Sequence, residues 1–218
     1  MSLYLFCLID DLVEVPPIAG LQNESVRILR IGDFSVVVSD FRGNQLAPSK
    51  DNIVVHERVI EKFMDKTTPL PFRFGSVISE PKLHQFITEN AASLKADLEK
   101  VRGCVEMGLK VMTPALPQGP EPQSGTEFLE ARKRQLDLQS TVSSIVDASV
   151  AGLVQHADVS LVAKTARPMV RIAHLVLRYH LDEYKSHLDE LVRQRTEWAF
   201  LRSGPWPPYS FVTAPRVL

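Results

Sequence analysis

Between Ser203 and Val212 the chain reads Ser-Gly-Pro-Trp-Pro-Pro-Tyr-Ser-Phe-Val. Proline lacks a backbone N–H and disfavours helical geometry in the residue before it, so this run is extended. Gly204-Pro205 sets a turn, and Tyr209, Phe211 and Val212 follow Pro208 as a short closing strand. A terminal segment with so much aromatic surface is expected to dock, not to fray. The elements before it must leave an apolar seat.

The chain has 218 residues, 44% hydrophobic and 23% charged, which is enough apolar material for two small cores. Lys and Arg number 25 against 26 Asp and Glu. That balance gives no electrostatic footprint for nucleic acid or an anionic membrane surface. Cys7 and Cys104 stand in no metal-ligand spacing and read as buried thiols. The apolar opening, Met1 to Ile9, has no basic flank and reads as a first strand, and no run approaches a membrane span. The expected location is the cytoplasm.

Leu3 to Ile9 is a near-continuous apolar run, the pattern of a strand covered on both faces. Val26–Ile31 and Phe34–Val38, joined by Gly32-Asp33, read as a hairpin. Ser49 caps a helix over about 50–66, with Val55, Val59 and Phe63 at four-residue spacing. Leu70 to Ile78 is extended. Ser79 caps a second helix whose stripe of Leu83, Ile87, Leu94, Leu98 and Val101 stops at Gly103.

In the second half, Val105, Met107, Leu109 and Val111 alternate with polar or small residues, the signature of a half-buried strand. Pro114 to Gly125 is a proline-rich loop, expected to be mobile. A helix follows from Thr126 to about His156, then strands over 159–163 and 169–178 around Arg167-Pro168. A last helix carries Tyr184, Leu188, Leu191 and Val192, and the terminal strand closes the order. The chain is thus expected to be α+β in two domains. Residues 1–102 form an α+β domain, and residues 103–218, including the terminal strand, form a ferredoxin-like βαββαβ domain.

Chemical signatures are sparse. There is no GxGxxG, P-loop, GxSxG or HExxH. His180, Tyr184 and His187 share a helical face, but lack the acidic or thiolate companions of a metal site and read as a solvated face. His56 borders an apolar stripe and reads as a packed, hydrogen-bonded histidine. Arg73, between Phe72 and Phe74, is expected to pair between domains, with Glu106 as an available partner. Trp206, Tyr209 and Phe211 are either interior plugs or a partner-binding platform. The charge-rich segment 127–137, with Arg132-Lys133-Arg134, reads as a solvated face. No catalytic, cofactor or metal residue is assigned. The competing reading is a small-molecule enzyme or sensor, which requires His56, Arg73 and Glu106 to converge in one pocket.

Six stretches resemble the GvpF/GvpL family of gas vesicle proteins. They are the strand Tyr4 to Ile9, His56-Glu57, Leu70 to Gly75, Val105 to Val111, the helix start Gly125 to Arg132, and Gly204 to Phe211. The Gly-Pro-Trp-Pro-Pro-Tyr ending is the most specific of them, while Ser203 stands where the family commonly has threonine. The resemblance implies a non-enzymatic accessory protein of gas vesicle assembly, without cofactors. It implies partners in the major gas vesicle shell protein (GvpA-type) and other vesicle proteins, with no nucleic acid or membrane, and a location at the gas vesicle. It also implies an α+β N-terminal domain with a modified ferredoxin-like C-terminal domain.

Overall fold

The computed structural model of the chain describes residues 2–10, 13–114, 124–162 and 169–212. It contains two sheets and four α-helices, a mixed α/β arrangement. The chain divides into two compact units, Met1–Cys104 with Trp206–Leu218, and Val105–Pro205. Two features differ from the division read in the sequence. The boundary falls after Cys104, and the segment from Trp206 onward groups with the first unit.

In the first unit, β1 (Ser2–Ile9) is apolar almost throughout because both its faces are covered. It pairs antiparallel with β3 (Phe34–Phe41), which pairs with β2 (Val26–Ile31) through the Gly32-Asp33 turn. Gly32 takes φ +59°, a value that glycine adopts without strain. The register of β1 on β3 slips between Leu5 and Cys7. That bulge sets which side chains go where. Leu3, Leu5 and Leu8 enter one core, while Tyr4, the consecutive pair Phe6 and Cys7, and Ile9 enter the other.

Each core has its own helix. α1 (Lys50–Met64) contributes Val59, Ile60 and Phe63 to the side of Tyr4 and Phe6. α2 (Glu80–Val101) contributes Leu83, Ile87, Leu94 and Leu98 to the side of Leu3 and Leu5. The cap at Ser49 is present, its Oγ accepting the Asn52 N–H at 3.2 Å. The stretch read as one extended segment over 70–78 is two short strands, β4 (Leu70–Pro71) and β5 (Val77–Ser79), both antiparallel to β1. Between them Gly75, at φ +87°, reverses the chain.

From Val105 to Pro205 the second unit runs through β6 (Cys104–Met112, less its first residue), α3 (Gly125–Ser149), β7 (Val154–Val162), β8 (Met169–Leu177), α4 (Leu181–Gln194) and β9 (Ala199–Trp206, less its last residue), with sheet order β7-β8-β6-β9. Met107, Leu109 and Val111 of β6 meet Val142 and Val146 of α3, Val170 and Ile172 of β8, and Tyr184, Leu188 and Leu191 of α4 in one core.

Three boundaries correct the sequence reading. α3 stops at Ser149, not near His156, because the chain turns at Gly152 with φ +83°. Val150 and Leu153 are buried in that turn, and β7 begins at Val154. The last strand is Ala199–Trp206, after which Pro207-Pro208 cannot continue a ladder. Tyr209–Phe211 form a 3-10 turn in place of the expected strand. Most of the loop expected over 114–125, and Arg167-Pro168, lie outside the described residues.

β6 and β9 approach closely at Gly108, where an added Cβ would sit 2.5 Å from Ser203 Oγ. Gly108→Ala therefore forces the Ser203 hydroxyl out of its position and is expected to destabilise the protein by about 1 kcal/mol. In a Ser203→Ala background most of that cost should disappear, because the Ser203 Cβ is an ordinary 3.9 Å away. Urea unfolding of the four proteins of this double-mutant cycle checks it. A cost for Gly108→Ala that is unchanged when Ser203 is alanine refutes the assignment.

Candidate functional site

Four of the six resembling stretches meet inside the first unit. Tyr4, on the α1 side of β1, is fully buried, and its hydroxyl accepts the Gly75 N–H at 3.1 Å. The backbone N–H can only donate, so the Tyr4 O–H is left to donate to His56 Nδ1 at 2.9 Å. The neutral ring then carries its proton on Nε2. Burial lowers the His56 pKa to about 4, with the Phe72 backbone opposing the shift. Burial also raises Tyr4 to about 12. Phe6 stacks on the imidazole, and Phe74 meets it edge-on with centroids 5.7 Å apart. The turn that supplies Phe74 and Gly75 is tied to β1 by Phe72 N–H to Phe6 O and by Leu5 N–H to Ser76 O.

The next residue on α1, Glu57, accepts the Tyr209 hydroxyl at 3.1 Å. Burial raises the Glu57 pKa, and the bond from Tyr209 opposes the rise. Tyr209 is itself raised, first by burial and then by the Glu57 charge. One turn on, Phe211 is buried, and its carbonyl accepts from Lys100 Nζ at 3.0 Å with the ammonium 5.9 Å from the ring centroid. Of the three aromatic candidates, Tyr209 and Phe211 are thus engaged within the unit, and Trp206 is 40% exposed.

Arg73 is exposed in the turn between β4 and β5, and its carbonyl accepts from the Ser76 hydroxyl at 2.7 Å. Glu106 is half-buried on β6 in the second unit. With His56 fully buried and its Nδ1 occupied by a structural hydrogen bond, that residue is closed to a substrate.

The helical trio His180, Tyr184 and His187 is divided among separate partners. Tyr184 bonds His174 Nδ1 at 2.8 Å, and His174 Nε2 lies 3.1 Å from Asp147 Oδ1. His187 Nδ1–H donates to the Ser149 carbonyl at 2.9 Å, and His180 pairs with Glu183 at 3.2 Å. The buried His174, lowered by desolvation against the pull of Asp147, repeats the Tyr–His arrangement of the first unit. Sequence reading did not find it, because a lone His on a strand has no partner visible in sequence. Among the described residues no group of three His, Cys, Asp or Glu could hold a metal ion, and no helix is long and apolar enough to cross a membrane.

The family profile "Gas vesicle synthesis protein GvpL/GvpF" matches residues 2–213. Gas vesicle protein L2 of Halobacterium salinarum is 24% identical over 253 residues, covering 95% of this chain and 90% of its own length. Gas vesicle protein F of a Streptomyces species is 26% identical over 215 residues, covering 88% and 90%. The crystal structure of GvpF from Anabaena has the same fold, with TM-score 0.81, 18% identity, and coverage of 98% of this chain and 96% of that one. GvpF from Microcystis aeruginosa gives 0.80 at 20% identity, covering 96% and 98%. With a profile match along almost the whole chain, and with its terminal motif, opening strand and α1 joined in one network, this protein belongs to the GvpL/GvpF family of gas vesicle synthesis proteins.

Proposed function

We propose that the chain is an accessory protein of gas vesicle assembly that binds the major shell protein (GvpA-type) and other vesicle proteins and limits their premature aggregation. The family match over residues 2–213 carries this reading. A subunit that will build a β-rich wall exposes strand edges and apolar surface before it assembles, and such surfaces aggregate. An accessory protein that covers them keeps the subunit available.

On this reading Trp206 is a contact residue, while Tyr209 and Phe211 hold the segment that presents it. The protein acts at the gas vesicle in the cytoplasm, as a binding protein and not as an enzyme. The second unit is read as a modified ferredoxin-like domain, in support of which stand its βαββαβ order and sheet order β7-β8-β6-β9.

Co-expression of the tagged chain with the shell protein tests the function. The expected result is co-purification together with a larger soluble fraction of shell protein. Shell protein that neither co-purifies nor gains solubility overturns the binding claim.

A further inference from the structure

One of the stretches that resemble the family, Gly125 to Arg132, is not accounted for by packing. Residues 124–130 are all exposed at the start of α3. Phe128, Leu129 and Leu136 are 61%, 67% and 48% exposed. These side chains are not scattered. Leu129, Arg132 and Leu136 are three and four residues apart, and Phe128 precedes Arg132 by four, so all four share one face. Five helical turns separate Phe128 from Val146, which places the two in phase. The stripe that enters the core at Val142 and Val146 therefore continues into solvent along the first half of the helix.

We propose that this half of α3 is a docking helix, and that Phe128, Leu129 and Leu136 enter an apolar strip on another protein of the vesicle where a carboxylate receives Arg132. The inference rests on the assembly reading above and adds the surface and the chemistry of the partner. The charge on the strip selects that partner. Arg132 sits between the apolar anchors, and its hydrogen bond goes to the neutral amide of Gln135 at 3.4 Å. A two-fold pairing of this strip with a second copy, centred on Arg132, would set arginine against arginine. A partner with a carboxylate meets an opposite charge in the same place. Phe128 and the two leucines supply the affinity, as amphipathic helices do when their spaced anchors enter a groove, and the ion pair sets register and partner choice.

The test uses a vesicle-forming host in which the gene for this chain is deleted and then restored in variant form. Phe128→Ser with Leu136→Ser is expected to lower stability by about 1 kcal/mol, leaving the protein folded, and to reduce vesicle yield by about tenfold or more. A photo-crosslinking residue at position 129 is expected to give an adduct with a different vesicle protein. That adduct should be lost in Arg132→Glu and kept in Arg132→Lys. If the deletion abolishes vesicles but the folded double variant restores them fully, the docking helix is refuted and the assembly reading stands. If the deletion leaves vesicles normal, the assembly reading falls and takes the inference with it. An adduct only with a second copy of the chain, or one insensitive to Arg132→Glu, also overturns it.

Discussion

Phe211→Ala is expected to destabilise the first unit by about 3–5 kcal/mol, the usual cost of deleting a buried phenylalanine. Phe211 is 6% exposed, Lys100 holds its carbonyl and lies over its ring, and Val212 packs on the core that α2 shares with β1. Trp206→Ala, at the same terminal motif but 40% exposed, should cost less, about 1–3 kcal/mol. Urea unfolding of both variants separates the two roles, and a Phe211→Ala protein as stable as the parent would falsify the anchoring role. The difference also decides how the segment must be probed for binding. Removing residues 203–218 takes away Phe211, Val212 and the Tyr209 bond to Glu57 together, so loss of shell-protein binding in that truncation reports unfolding as readily as a lost contact. Trp206→Ala leaves Phe211, Val212 and the Tyr209 bond to Glu57 in place. Lost binding in a folded Trp206→Ala protein supports the contact role, and undiminished binding removes it.

The motif's aromatic anchoring was legible in the sequence, but its conformation was not. Prolines exclude helix, yet they do not say where the preceding strand ends, and β9 lies before the Pro207-Pro208 pair instead of after it. Local signals elsewhere gave sound elements. The Gly32-Asp33 hairpin, the Ser49 cap and the alternation of β6 each depend on residues a few positions apart. The errors arise where a rule has two outcomes. Val150 and Leu153 continue the apolar spacing of α3, and only the left-handed backbone at Gly152 shows that they are buried in a turn. The bulge between Leu5 and Cys7 is invisible in an all-apolar strand, since either register leaves hydrophobic side chains on both faces. Least legible is the hydrogen-bonded site, because Tyr4 and His56 are 52 residues apart and Glu57 and Tyr209 are 152 apart. Periodicity carries no information over such separations. It does mark the overhanging face of α3, but spacing alone cannot distinguish a face that meets the core from one that meets a partner.

The buried Tyr4–His56 bond predicts a loss of stability in acid. The ordinary histidine pKa is 6.5, and in the folded protein burial lowers that of His56 to about 4. Below pH 6.5 the unfolded chain therefore takes up a proton that the folded chain refuses, and the contribution present at neutral pH is lost as pH falls towards the folded value. A difference of this size corresponds to about 3 kcal/mol, most of it lost between about pH 6 and about pH 4. Geometry adds to desolvation. A protonated His56 would present Nδ1–H to a Tyr4 oxygen that already accepts from Gly75, so the Tyr4 hydroxyl proton would lose its acceptor. His174, also lowered by burial, acts in the same direction. Glu57 acts against it, because a carboxyl whose folded pKa is raised binds its proton more readily in the folded state and gains stability as pH falls. His56→Gln isolates the histidine, since the amide oxygen can accept from Tyr4 but does not titrate. Unfolding by urea from about pH 7.5 to about pH 4.5 should show the parent losing up to about 3 kcal/mol more than the variant over that range. Parallel pH profiles for the two proteins would mean that His56 titrates alike folded and unfolded, and that the network does not hold it neutral.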